Sequence, residues 1–336
     1  MAADASLALV DPELRALLGQ FPPLNLTTDR LAQIRAESAE RRKALNEAAQ
    51  EAAARSRAPA VTVEEHRVPG PPGAPPVRVL LYRPAAATPT ATAQLPAYLQ
   101  IHGGGFVIGS ADGSDPNNRD LVRALSCVVV AVDYRLAPET PGPGAVEDCY
   151  AALQWLHSHA AEFNVDRSRI AIGGESAGGG LAAALALLAR DRNTLAICFQ
   201  NLVYPMLDDR TAALVNRNPF TGHHLWTHDS NRFGWTALLG GTPGAVGISP
   251  YLAPARATDL RGLPPALLTV GQLDLLLEED VDYATRLMQA GVPTELHVYP
   301  RAYHAFDYEP EAQVSQAMRR DRLNALRRAF LDGPQA

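Results

Sequence analysis

The sequence predicts an α/β fold, a mostly parallel eight-stranded sheet flanked by helices. Two observations carry this. Eight short apolar segments recur along the chain: VTVEEHRV, VRVLLYRP, AYLQIH, VVVAVDY, IAIGG, AICFQNLVY, ALLTVG and ELHVYP. The last six are nearly unbroken, the pattern of strands buried on both faces. Helical stretches lie between them, and strands alternating with helices build a parallel sheet with helices on both sides. At 336 residues the chain suits one large single-sheet domain carrying insertions.

Residues 1–56 read as helical. Pro12 fits a first helical turn, with Leu14, Leu17 and Leu18 behind it. Thr27 or Thr28 can cap a second helix carrying Leu31, Ile34 and Leu45, in an Ala-, Glu- and Arg-rich stretch that suits an exposed helix. The first two apolar segments flank a Pro/Gly-rich turn and read as a hairpin. Helices are expected over AVEDCYAALQWLHSHA, LAAALALLARD and EEDVDYATRLMQAG, the last stopped by Gly291 and Pro293. A final helix aligns Val314, Met318, Leu323, Leu326 and Phe330. Between Pro205 and Pro254 the chain reads as loop-like and aromatic, with Phe220, Trp226, Phe233 and Trp235. A long irregular insertion of this kind is expected to be a lid or binding loop. The division is therefore 1–56 as N-terminal helices, 57–204 with 255–336 as the sheet domain, and 205–254 as an inserted lid.

Composition excludes several classes. The net charge is −6 with no basic run, which argues against nucleic acid. The longest apolar run, LAAALALLA, has nine residues and is too short to span a bilayer. Cys127, Cys149 and Cys198 are widely spaced in apolar surroundings and read as buried, reduced thiols. The N-terminus lacks the pattern of a signal peptide. A cytoplasmic protein is expected.

The most informative stretch is IAIGGESAGGGLAAALALLA. An apolar strand enters Gly174-Glu175-Ser176-Ala177-Gly178 and then a helix, the strand–turn–helix context that G-x-S-x-G requires. The turn exposes Ser176 and aims the amides of the following helix at it. A phosphate-binding loop is the rival, but neither G-x-x-x-x-G-K-[ST] nor G-x-G-x-x-G is present. A serine hydroxyl is a poor nucleophile without a base. Among nine histidines, His304 follows the last expected strand, at the same sheet edge as Ser176. His297 lies within a strand and reads as a packing residue; His66, His157 and His159 read as surface residues. His223, His224 and His228 lie in the lid without the acids or cysteines of a metal site. Asp274 follows a buried strand and is the expected acid. Glu278, Glu279 and Asp280 fall in the next helix, where they should be solvated or favour its N-terminus. The order Ser, Asp, His is that of the α/β-hydrolases. His304 would take the Ser176 proton and Asp274 would hold the imidazole. Asp133 and Arg135 read as a buried structural charge pair.

His102-Gly103-Gly104-Gly105 follows the strand AYLQIH. Three glycines let backbone amides approach an oxyanion with no side chain in the way. With HGGGF at 102–106 stand DYRLAPE at 133–139, VEDCYAALQWL at 146–156, GESAGG at 174–179, GLPPALLTVGQLD at 262–274 and YHAF at 303–306. On these motifs the chain, from about Pro96 to its end, resembles the hormone-sensitive-lipase-like esterases (bacterial family IV) of the α/β-hydrolase superfamily. The resemblance implies an α/β-hydrolase fold with a helical cap, formed by the N-terminal helices and the insert after Tyr204. It implies Ser176, Asp274 and His304 as the triad, the amides of Gly104, Gly105 and Ala177 as the oxyanion hole, and His102 as the support of that loop. No metal and no organic cofactor is implied. Two motifs depart from the family: Glu175 stands where many members have Asp, and Asp274-Leu275-Leu276 where D-P-L is frequent.

The expected function is a serine carboxylesterase acting on small-molecule esters of short to medium acyl chain through an acyl-enzyme. Two alternatives share the residues: a hydrolase of a bulky natural-product or drug-like ester, lactone or amide, and a non-catalytic ligand-binding protein on the same fold. Homodimers occur in the family, but no stretch here specifies one.

Overall fold

The structure is a computed structural model and describes residues 2–20, 23–55, 59–85, 94–215 and 217–332. Three helices open the chain, α1 (Ala2–Leu9), α2 (Arg15–Gln20) and α3 (Thr28–Arg55). Pro12 begins a single 3-10 turn, capped by the Asp11 carboxylate accepting from the Glu13 amide. Leu14 and Leu17 are buried in a cluster with Tyr303 and Phe306, and Leu31 and Ile34 join the main core. The side chain of Leu45 lies outside the described residues.

The hairpin forms as expected from β1 (Val61–Val68) and β2 (Val77–Pro84), with Val68 opposite Val77 across the turn. Then follow β3 (Leu95–Ile101), α4 (Asp115–Leu125), β4 (Val128–Asp133), α5 (Gly144–Ser158), β5 (Val165–Glu175), α6 (Ala177–Arg192) and β6 (Phe199–Val203). The insert and its helix α7 (His228–Leu239) precede β7 (Ala266–Gly271), α8 (Leu277–Gln289), β8 (Thr294–Tyr299) and α9 (Gln313–Asp332). The strand order is β1-β2-β4-β3-β5-β6-β7-β8. The β1–β2 and β2–β4 pairs are antiparallel and every later pair is parallel.

Alternation along the strands feeds two cores. Leu99, Ile101, Val130 and Ile172 share one with Leu153 of α5 and Leu185 of α6. Tyr98, Val129 and Ala171 share the other with Leu121 of α4 and Leu326 and Phe330 of α9. β3 to β7 are buried on both faces, as their unbroken runs predict. β8 is an edge strand and only half-buried; the His297 ring stacks on buried Tyr299 at 6.0 Å, as a packing residue does, and also pairs with Glu295 at 2.6 Å. His66, His157 and His159 are half-buried, and the His66 ring packs on Trp155.

Three expectations are corrected. The insert is not all loop: Thr227 Oγ1 accepts from the Ser230 amide and starts the twelve-residue α7. Arg135 does not pair with Asp133. Its amide, Nε and Nη2 donate to Asp148 of α5, which is fully buried, while Asp133 accepts from the Ala111 amide and pairs with Arg78. β4 ends at Asp133, so Arg135 has already turned toward α5. Glu279 and Asp280 are buried, not solvated. Glu279 Oε1 accepts from the amides of Leu207 and Asp208, at 2.7 and 3.2 Å, which fixes the chain as it leaves β6. Glu278 does face outward and accepts from Asn218. Among the described residues no helix is long and apolar enough to cross a membrane.

Burial pushes the Glu279 carboxyl up to about 8, against the two amides that favour its charged form. The folded protein thus keeps a proton that the unfolded chain releases above the usual carboxylate range. That contribution to stability is full at acidic pH and is lost as pH rises through about 8. Glu279→Gln should flatten part of the decline, seen in urea unfolding at several pH values across that window. An unchanged slope would show that Glu279 is ionised in the folded protein.

Candidate active site

The site begins with a backbone constraint. Between β5 and α6, Ser176 holds φ 57° and ψ −119°, a conformation costing a non-glycine residue about 1–3 kcal/mol. Its surroundings enforce it. The Ser176 amide donates to Val203 O at 2.9 Å, and its carbonyl accepts from the Met206 and Gly180 amides at 3.0 Å. A Cβ on either Gly174 or Gly178 would stand 2.1 Å from the carbonyl oxygen of Ile101. Only glycines let the turn press on the end of β3.

Asp274 follows β7 and His304 follows β8, so three strand ends converge. His304 Nε2 lies 2.9 Å from Ser176 Oγ, and His304 Nδ1 lies 2.8 Å from Asp274 Oδ2. All three side chains are buried. The second Asp274 oxygen accepts from the Leu276 amide at 3.0 Å, which orients the carboxylate. An ionised carboxylate only accepts, so Nδ1 carries the imidazole proton and Nε2 is left to accept from the serine hydroxyl. Tyr204 meets the imidazole edge-on at 4.7 Å, and Trp226 lies 6.1 Å away.

The glycine loop after β3 forms the facing wall. Gly104 and Gly105 have φ of +120° and +58°. A Cβ on Gly105 would come 2.2 Å from Trp226 Cη2, so the insert closes on this loop. Among the described residues, no loop or turn hydrogen bond uses the amides of Gly104, Gly105 or Ala177. His102 Nδ1 donates to Gly103 O at 2.8 Å, and its ring stacks on Tyr134 at 4.2 Å, whose hydroxyl donates to His102 O. Arg35 of α3 donates to Val107 O and Ala137 O, each at 2.8 Å, and pairs with Glu139. Sequence reasoning missed Arg35, since nothing separates it from the other arginines of an exposed helix.

In the insert the His223 and His224 rings lie 6.4 Å apart. His224 Nε2 meets Ser6 Oγ of α1 at 3.1 Å, and burial lowers its pKa to about 4, so it stays neutral. The Leu24 amide donates to Leu225 O, and Ser230 Oγ donates to Leu24 O. The N-terminal segment is thus bonded to the insert on both sides of Trp226. A hydroxyl, a neutral imidazole and a buried carboxylate beside unused amides can carry out acyl transfer, with nucleophile, base and oxyanion donors within reach of one carbonyl.

Comparisons with known proteins agree. A family model described as the alpha/beta hydrolase fold matches residues 98–308. The chain is 33% identical over 307 residues to the carboxylesterase NlhH of Mycobacterium tuberculosis, covering 88% of each chain. It is 36% identical to the esterase LipI of the same organism, over 74% of this chain and 76% of that one. Among solved structures, a bacterial heroin esterase superposes with a TM-score of 0.86 at 39% identity, over 97% of this chain and 99% of that one. With the turn at Ser176 and the glycine loop in place, these matches make the chain a member of the hormone-sensitive-lipase-like esterases of the α/β-hydrolase superfamily, which are carboxylic ester hydrolases.

Proposed function

We propose that the protein hydrolyses short- to medium-chain acyl esters through an acyl-enzyme on Ser176. The observation that carries this is the chain of contacts Ser176 Oγ–His304 Nε2 at 2.9 Å and His304 Nδ1–Asp274 Oδ2 at 2.8 Å. His304 takes the hydroxyl proton as Ser176 attacks the ester carbonyl. The oxyanion is received by the amides of Gly104, Gly105 and Ala177, the last at the N-terminus of α6. His304 then protonates the leaving alcohol and activates the water that frees the acid. Asp274 keeps the imidazole in one tautomer and stabilises its charged form.

The N-terminal helices and the insert act together as the cap. Ser6, Leu24 and Arg35 tie the first to the insert and the glycine loop. Trp226, between Gly105 and His304, narrows the space above the serine and favours small acyl groups. A second reading is supported by the neighbour named for heroin: the alcohol side is bulky and drug-like while the chemistry is unchanged. The partner in either reading is a small-molecule ester.

Hydrolysis of p-nitrophenyl esters from acetate to palmitate should peak at short chains. Ser176→Ala should lower kcat by at least about 10⁴-fold with the fold intact. A peak at palmitate would overturn the acyl preference, and residual turnover near wild type would overturn the nucleophile. Because His304 accepts a proton only when neutral, kcat/KM should fall as the assay is made acidic. A profile flat down to about pH 4 would remove His304 as the base.

A further inference from the structure

Glu175, one of the departures from the family pattern, is not used by the mechanism above, yet it adjoins Ser176 and is nearly enclosed. Its Oε2 accepts from Gln100 Nε2 of β3 at 3.0 Å, and its Oε1 accepts from Arg322 Nη2 of α9 at 3.0 Å. Its carbonyl oxygen stands so close to the glycine loop that a Cβ on Gly103 would lie 2.8 Å from it. A second carboxylate, half-buried Asp307, accepts from the hydroxyl of Tyr204, whose ring edges onto His304. Two carboxylates thus flank the serine and histidine from behind. Among the described residues Arg322 is the one buried arginine or lysine. Besides Glu175 it reaches the Tyr98 hydroxyl at 3.4 Å, and its Nε has no partner. A cavity of about 80 Å³ beside it is lined by Asp307, Arg319 and Arg322.

The tetrahedral intermediate places a negative charge on the oxyanion, one residue from Glu175. A carboxylate in this dry region repels that charge unless a cation balances it. We propose that Arg322 is a positioning residue for the reaction: from α9 it neutralises Glu175 and holds its side chain down, so that Glu175 adds no net negative charge behind the oxyanion hole. This deepens the hydrolase reading and rests on it. It also gives the longer acid a role, since the extra methylene lets one carboxylate bridge β3 and α9.

The test uses a fluorophosphonate, which reports on the serine without knowledge of the natural ester. Ser176 Oγ forms the P–O bond, the P–F bond breaks, fluoride leaves, and His304 takes the hydroxyl proton. The rate of labelling is read by intact mass for wild type, Arg322→Lys, Arg322→Met, Glu175→Gln and Arg322→Met/Glu175→Gln, each checked for folding by circular dichroism. Arg322→Met should slow labelling by about tenfold or more, and adding Glu175→Gln should restore most of that loss. Arg322→Lys, which keeps the charge, should recover most of the rate. A packing role for Arg322 would not be relieved by Glu175→Gln. Arg322→Met labelling as fast as wild type, or a double variant as slow as the folded single, would overturn the proposal alone. Should Arg322→Met fail to fold, Arg322→Lys against the double variant decides the same point. Wild type that neither labels nor hydrolyses esters would instead overturn the hydrolase reading.

Discussion

Ser176 sits in a backbone conformation that no single interaction would sustain. It is held because its amide and carbonyl are both used, by Val203 and by Met206 and Gly180, and because Gly174 and Gly178 allow the turn to rest on Ile101. Two of those partners are themselves fixed by the sheet: Ile101 ends β3 and Val203 ends β6, the two neighbours of β5. The strained turn therefore exists only where three parallel strands end together. The same convergence delivers the glycine loop from β3, and one and two strands beyond β6 it delivers Asp274 and His304. The geometry of the reacting groups is a property of the sheet edge, and the loops carry it without determining it.

The second constraint is electrostatic. The carboxyl edge gathers acids that are buried, at Asp274, Glu279 and Asp280, or half-buried, at Glu175 and Asp307. Four of them have partners, each of a different kind. Asp274 faces an imidazole and a backbone amide. Glu279 takes two amides from the segment leaving β6. Glu175 meets an arginine, and Asp307 a tyrosine hydroxyl. Burial pushes the Glu175, Asp280 and Asp307 carboxyls up, and the Arg322 charge counters this at Glu175 and Asp307. Of these acids Asp274 is the one that contacts His304.

What the sequence made legible was the part governed by local rules. The strands β3 to β7 are read from runs such as VVVAVD because a strand covered on both faces has no polar side. GGESAGG and HGGGF are read because backbone close to backbone excludes side chains. Ser176, Asp274 and His304 are found as residues just past strand ends. Illegible parts depend on partners far along the chain. Glu279 and Asp280 look like an ordinary helix start until the β6 exit loop is placed over them. Arg135 chooses Asp148 over Asp133 because of the direction in which the chain leaves β4. Helix α4 had a local signal, Pro116 in its first turn and Leu121 and Val122 on its buried side, set in an otherwise polar stretch. Helix α7 did have a local signal, Thr227 before the first turn and Gly240 after the last, outweighed by the aromatic, proline-rich text around it.

The N-terminal strap has one more consequence. Leu14 and Leu17 bury themselves against Tyr303 and Phe306, the Asp11 amide bonds to Arg301 O, and the Tyr303 hydroxyl bonds to Leu14 O. A segment made earlier thus waits for one made almost 300 residues later. A growing chain carries these leucines without Tyr303 and Phe306 until the loop around residue 304 has left the ribosome. The N-terminal segment and the loop that carries His304 therefore complete one another's packing.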